Sequence, residues 1–396
     1  MGDFITCCIF FIEIIIFIII DYKRYGSLVN PISFISIPFA FIFLLCIFLN
    51  SRFDFVDFYI PSLWVWIIGL FFFWIIGNIS RMLIKRERLK KSNGVINRLP
   101  IVIFIFCALL STLKINSLGS SLDFGSKELG VEMGMGGIMG RASNILLIMF
   151  PFVAVCNLKR ILKIGVLLLL CVLLMSLGSK TWILNAIIAS FILLLVEKKI
   201  KITRRSIFII LISVLILLFS FFFLYYKLNT KIEDNEALIV FVYRHFYFYL
   251  TSGILPLGLY FKTGANEIVN EFQLPFINIL EIWLGKQIVS AHSPLWYTTD
   301  ISLGTQSNVF TFFGTLFIES SFGGFLFYSS FFGFWCYLLF EIARAKANIY
   351  LNIINVYNLS LLFFGWYNCS FAILRIWEVT IYCLIFYYLT KKKFCI

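Results

Sequence analysis

Apolar runs of about 17 to 22 residues, the length a helix needs to cross a bilayer core, recur along nearly the whole of this chain. Few features leave a polypeptide so little choice. In hydrocarbon every backbone amide and carbonyl must be satisfied within the protein, so each run closes its own hydrogen bonds as a helix. Composition agrees. Of 396 residues 61% are apolar and 13% charged, with a mean hydropathy of +0.97, far from what a water-facing domain needs. The short alternating strands of a β-barrel are missing. The expected fold is an all-α polytopic integral membrane protein, a single transmembrane domain over 1–396. The spans read 4–20, 31–49, 59–78, 99–115, 143–156, 161–177, 181–196, 206–226, one crossing within 308–340, 349–366 and 371–389. That makes about 11 transmembrane helices, with re-entrant or interfacial helices besides. The first run has neither a basic leader nor a small-residue cleavage site, so it reads as a retained helix.

The formal charge of +13 would point to nucleic acid on a soluble chain. Here no basic stripe shares a domain with stacking aromatics, so no nucleic-acid partner is expected. Most of the 33 basic residues sit instead in short loops after spans one, three, five and seven, before span ten and at the C-terminus. Loops with this bias stay cytoplasmic. The N-terminus then lies outside and the C-terminus inside. Parity also constrains 308–340, which is apolar for long enough to cross twice but is broken at Glu319-Ser-Ser-Phe-Gly-Gly324. One net crossing keeps Arg344 and Lys346 inside, which leaves 308–318 as a half-helix or re-entrant piece.

Two outer segments carry the chemistry-bearing residues. The Gly-rich loop 116–142 ends on Arg141, and its glycines suit an anion-binding nest or a plain flexible loop. The large loop 228–306 holds both histidines of the chain, His245 and His292. Within it, 241–261 is too apolar for a free loop and too charged for a comfortable span. It reads as a helix lying at the outer interface and ending near Pro256, with aromatics in lipid and Arg244 and His245 facing a cavity. Residues three or four apart share a helix face, which groups Arg244 with Tyr247 and Phe248 and puts Tyr249 a turn beyond His245. Lys180, in the outer turn after span six, runs against the charge bias. It is either an interfacial snorkel or an anion clamp at a helix N-terminus, where free amides and the helix dipole favour negative charge. Glu13, Glu319 and Glu378 fall in or near apolar runs, where a carboxylate is costly and often functional. The ten cysteines show no disulfide framework and no zinc spacing. Neither a metal nor a cofactor is expected.

Three local motifs, in order, carry a resemblance: Gly178-Ser-Lys-Thr181, Tyr249-Leu-Thr-Ser-Gly253, and Asn308-Val-Phe-Thr311 leading to Phe322-Gly323-Gly324. With the span count and the large outer loop before the last three helices, the chain resembles the Wzy-type O-antigen polymerases, which polymerise oligosaccharide repeat units. Lys180 stands where that family tends to have arginine, so a bidentate phosphate contact becomes a point charge. Glu319-Ser320-Ser321 replaces a more usual Asp-Phe-Gly-like run, which argues against catalysis there. The resemblance implies a glycosyltransferase at the periplasmic face of a bacterial inner membrane. It would move a glycan from undecaprenyl pyrophosphate onto the next lipid-linked repeat unit, beside a flippase and a chain-length regulator of the same pathway. Arg244, His245 and His292 would be catalytic, with Lys180, Arg141 and Tyr249 binding pyrophosphate or sugar. An O-antigen ligase and a lipid-linked oligosaccharide flippase are the competing readings. The flippase fits less well, because no inverted repeat is visible.

Overall fold

The computed structural model describes residues 2–84, 98–118, 137–175, 180–200, 235–264, 271–287, 289, 295–346 and 348–391. The described chain is helical throughout, apart from one small hairpin. In order the helices are α1 (Gly2–Tyr25), α2 (Pro31–Leu49), α3 (Leu63–Ser80), α4 (Arg98–Leu118), α5 (Gly137–Val155), α6 (Arg160–Met175), α7 (Lys180–Val196), α8 (Asn235–Thr251), α9 (Ile254–Thr263), α10 (Leu274–Trp283), α11 (Phe312–Ile318), α12 (Phe322–Lys346), α13 (Ile349–Phe363) and α14 (Leu374–Lys391). Among the described residues seven segments, built on α1 to α5, α12 and α13, are long and apolar enough to cross a membrane. Their outward faces carry large apolar side chains such as Ile12, Phe41, Phe71, Phe106 and Leu109. In water that surface would be untenable; in lipid it is solvent-matched. The chain is a multi-pass membrane protein.

Of the other expected spans, α6, α7 and α14 form but fall short of that standard in length or apolar content, and 206–226 lies outside the described residues. The 308–340 stretch divides into α11, seven residues long, and α12, with 25. At about 1.5 Å per residue only α12 can cross, which is the split that the charge parity asks for.

Lipid tails are as apolar as leucine, so helices in a membrane associate through close packing and buried hydrogen bonds. The most extensive pair, α3 with α12, uses both. A Cβ on Gly333 would sit 2.0 Å from the Phe73 carbonyl oxygen, so only glycine lets the two backbones touch. At one end of this pair Asp21, fully buried on α1, accepts from Tyr337 Oη at 2.5 Å and from Trp74 Nε1 at 3.3 Å, with Arg24 at 3.7 Å. The Arg344 guanidinium covers the Tyr25 ring at 4.9 Å. At the same end Lys163 and Lys199 donate to the Ala154 and Val155 carbonyls that α5 leaves free, a favourable match of cation to helix C-terminus. Asn352 at the start of α13 donates to Glu197 just past α7 (2.7 Å). The helix ends rich in Lys and Arg therefore gather on one side. The α8–α9 pair, the hairpin and α11 lie at the other.

Candidate functional site

Two polar assemblies occupy that end. The first is a clasp centred on Arg244 of α8. Its Nη2 donates to Asp300 Oδ1 at 2.8 Å and its Nη1 lies 3.9 Å from Asp54 Oδ2, while Phe55 offers its ring face at 5.8 Å. Asp300 is buried and also accepts from the Leu303 amide. It belongs to the two-stranded hairpin β1 (Tyr297–Thr298) and β2 (Gln306–Ser307), in which Tyr297 pairs with Ser307. Backbone bonds from Val56 to Thr299 and from Ile301 to Asp54 fasten the hairpin to the turn after α2. One helical turn beyond Arg244, Tyr247 Oη donates to Asn50 Oδ1 at 2.6 Å. The expected sharing of a face by Arg244 and Tyr247 is what lets one helix grip both.

Residues 241–261 differ in detail from the expected interfacial helix. They form two helices, α8 and α9, broken at Ser252–Gly253. Pro256 does not end a helix but sits in the first turn of α9, where its missing amide costs nothing. The aromatics Tyr247, Phe248 and Tyr260 are buried in protein rather than spread in lipid, because the turn after α2 and the hairpin cover them. His245 lies in a ring of aromatics: Phe241 stacks at 5.3 Å, Phe248 is at 5.7 Å and Tyr249 meets it edge-on at 5.4 Å.

The second assembly is a cavity of about 210 Å³ lined by Asn308, Val309, Phe310, Thr315 and Glu319 from one side and by Asn368, Cys369, Ala372 and Ile373 from the other. Its first wall is held by short-range bonds. Thr311 caps α11 by accepting from the Gly314 amide, and also accepts from Trp66 Nε1 of α3 at 2.9 Å. Thr315 Oγ1 donates back to the Phe310 carbonyl. Glu319 ends α11, and its carbonyl accepts from the amides of Glu271 and Phe272. Its carboxyl is pushed up to about 7 by burial, reinforced by the charge of Glu271. The opposite wall is the connection from α13 to α14. Asn368 accepts from Ser370 there (2.8 Å). Gly253 presses against this connection so closely that a Cβ would come within 2.4 Å of both the Trp366 and the Tyr367 carbonyl oxygens. Ser252 in turn accepts from Ser307.

Beside the cavity, two residues past its lining residue Ile373, Arg375 opens α14. Its guanidinium lies over the Trp182 ring at 5.2 Å and near Glu378, which accepts from Asn144 of α5. Lys180, the expected anion clamp, is the first residue of α7, two before Trp182; its side chain lies outside the description. Arg141 does not close a loop as expected. Helix α5 begins at Gly137, so Arg141 stands exposed in its first turns, near enough to Tyr382 of α14 to act on it electrostatically. Tyr249 lies beside Tyr367. His292 is outside the described residues.

Parts of two motifs singled out in the sequence, and the residue just after the third, thus meet one segment, 366–375. Gly253 packs on it, Asn308 and Phe310 face it across the cavity, and Trp182 meets Arg375. The chain belongs to a protein family. That family, DUF6337, is one of unknown function, and its model matches residues 54–396. No curated protein and no solved structure matches the chain. The span matched by the family begins at the Asp54 of the clasp and takes in the whole cavity, Lys180, Arg375 and Glu378; α1 and α2 precede it.

Sequence reasoning missed the hub itself. Segment 364–373 contains no unusual charge, and Arg375 reads as a flanking basic residue of a span. A usable signal was the pairing of Arg375 with Glu378 at helical spacing at the entry to an apolar run. Of the three carboxylates flagged in apolar runs, Glu378 is engaged by Asn144 and Glu319 lines the cavity. Glu13 is buried on α1, with no hydrogen-bond partner for either oxygen among the described residues.

Proposed function

We propose that this protein is a membrane-embedded glycosyltransferase that joins lipid-pyrophosphate-linked sugar repeat units into a surface polysaccharide. In this reading the Lys/Arg-rich end faces the bacterial cytoplasm and the cavity opens at the periplasmic side of the inner membrane. The observation that carries the reading is the juxtaposition at 366–375. A small cavity lined by Asn308, Thr315, Glu319 and Asn368 ends two residues from Arg375, whose guanidinium covers Trp182 in the first turn of α7, the helix that Lys180 opens. Amide and hydroxyl groups with one aromatic edge suit a sugar ring. Fixed cations at helix ends suit a pyrophosphate, since charge builds on the leaving oxygens and donors already in place stabilise it without reorganisation. The donor is a lipid, so the site has to sit in a bilayer. Undecaprenyl-pyrophosphate-linked glycans are the substrates that fit the resemblance, with no metal or cofactor called for.

The arrangement also shifts the roles among the candidate cations. Arg244 is taken up in the clasp, and the proposed pyrophosphate ligands become Arg375, which borders the cavity lining, and Lys180 at the start of α7. The test is the surface-polysaccharide ladder of a strain lacking the gene. Loss of polymerisation leaves a single repeat unit on its acceptor, loss of ligation leaves none, and a flipping defect blocks export altogether. Arg375→Ala and Lys180→Ala, supplied back at matched protein level, should each slow chain growth about ten- to a hundredfold, the loss of one charge-assisted contact. A full-length ladder in the deletion strain would end the proposal.

A further inference from the structure

We propose that the cavity between the end of α11 and the α13–α14 connection seats the acceptor sugar, and that the Glu319 carboxylate takes the proton from its attacking hydroxyl. This inference rests on the glycosyl-transfer reading and names the half of the site that the cations do not serve; it departs from the expectation that 319–321 is not catalytic, because Glu319 lines the cavity. The cavity volume of about 210 Å³ is the space of about seven waters, the scale of a single sugar ring and well below a lipid tail or a nucleotide. The lining residues Asn308, Thr315 and Asn368 supply donors and acceptors without charge, and Val309, Phe310 and Ile373 supply an apolar side. Glu319 is the only carboxylate in the lining, and no cation pairs with it among the described residues.

The backbone makes Glu319 a fixed point rather than a mobile rim residue. Its amide closes α11 on Thr315, and its carbonyl holds the amides of Glu271 and Phe272. Just beyond it Ser321 Oγ caps the start of α12 by accepting from Gly324. The residue therefore sits where a seven-residue half-helix stops and a full span begins, with its side chain aimed into the gap that the break leaves. The charged and titratable groups near it are Glu271 on the segment before α10 and Cys369 on the opposite wall. Burial drives the Cys369 thiol far upward, so it stays protonated. Arg375 is turned to Trp182 and Glu378. The nearest negative charge, Glu271, raises the affinity of Glu319 for a proton, and a general base works best when that affinity is matched to ambient pH.

In the step itself the acceptor oxygen forms a bond to the anomeric carbon of the donor, and its proton passes to Glu319. The bond from the anomeric carbon to the phosphate oxygen breaks, and its electron pair leaves on the pyrophosphate. Glu319 then releases the proton to outer water. The base form of a carboxyl held near 7 grows in as pH rises, so the rate should climb through about pH 7 and level off above it.

The test uses the full chain in membranes supplied with purified lipid-linked repeat units, with initial rates taken from pH 5.5 to 8.5. Glu319→Gln, at equal folded protein by size exclusion, should lose about 10²- to 10⁴-fold in rate and its pH dependence. Glu271→Gln, which removes the neighbouring charge but no cavity group, should move the wild-type midpoint to lower pH. If Glu319→Gln does not accumulate, the Glu271→Gln shift decides the matter. Wild-type polymerisation with an unchanged rate in Glu319→Gln, or an unmoved midpoint in Glu271→Gln, overturns the role of Glu319 alone. No polymerisation by the wild type would overturn the glycosyl-transfer reading beneath it.

Discussion

The Arg244 clasp and the Glu319 cavity lie at the same end of the bundle and use the same kinds of residue, yet they are built in opposite ways. In the clasp each charged group faces its opposite. Arg244 meets Asp300 at 2.8 Å and Asp54 at 3.9 Å, and the buried Asp300 is completed by a backbone amide. In the cavity a carboxyl stands against neutral amides and hydroxyls and space, with its nearest charged neighbour negative. The lesson is that an ionisable residue in a membrane protein is not by itself a site. When its complement is supplied by the protein it fastens elements together, and when the complement is missing a ligand can supply it. By that criterion Arg244, the strongest candidate on sequence grounds, holds the hairpin and the turn after α2 in place, while Glu319 is the carboxyl that lines open space.

That contrast can be broken most sharply at Asp300. Asp300→Ala leaves the mostly buried Arg244 guanidinium facing only the exposed Asp54. It should cost about 3 kcal/mol, at the low end for breaking a buried pair, and lower the thermal midpoint of the detergent-solubilised protein by several degrees. Replacing both partners, as in Arg244→Met with Asp300→Leu, should restore most of that loss and with it polysaccharide synthesis. A double variant that is stable but inactive would return Arg244 to the catalytic machinery. Asp54→Ala, at an exposed partner, should cost under about 1 kcal/mol.

The wall of the cavity can be tested next. Gly253→Ala forces a methyl into the Trp366 and Tyr367 carbonyls and should destabilise by about 1 to 3 kcal/mol through overpacking. If the α8–α9 break serves to position 366–375, activity should fall further than stability does; equal loss in both would reduce Gly253 to a packing residue. The facing wall can be reached from α3 by Trp66→Phe. It reduces a fully buried indole to a phenyl and loses the bond to Thr311, about 2 kcal/mol by unfolding from the lost bond and the space left behind, and it should loosen the capped start of α11 without touching the clasp.

How far the chain discloses itself can be followed element by element. Helices α1 to α4, α12 and α13 fall where apolar length puts them, because a run that must close its own hydrogen bonds in lipid has one outcome wherever it occurs. The short α11 ahead of a full span follows from the placement of Arg344 and Lys346. By contrast, the start of α5 at Gly137 and the break at Ser252–Gly253 were not legible. Glycine weakens a helix locally, so a Gly-rich stretch reads as a loop; neighbours absent from the local pattern extended one helix and divided another.

The sequence by itself determined that this is a multi-pass helical membrane protein, where most of its helices run, and which of their ends carry the positive charge. Those properties depend on each segment alone and on its transfer from water to lipid, which is additive along the chain. Only the tertiary structure decided which polar residues are spent on one another. Arg244 and Asp300 are 56 positions apart, Trp66 and Thr311 are 245 apart, and the 366–375 segment is met by Gly253, Asn308 and Trp182 from distant parts of the chain. Pairing is a property of two groups within a few ångströms, and its strength falls off too steeply with distance for any local pattern to reveal it.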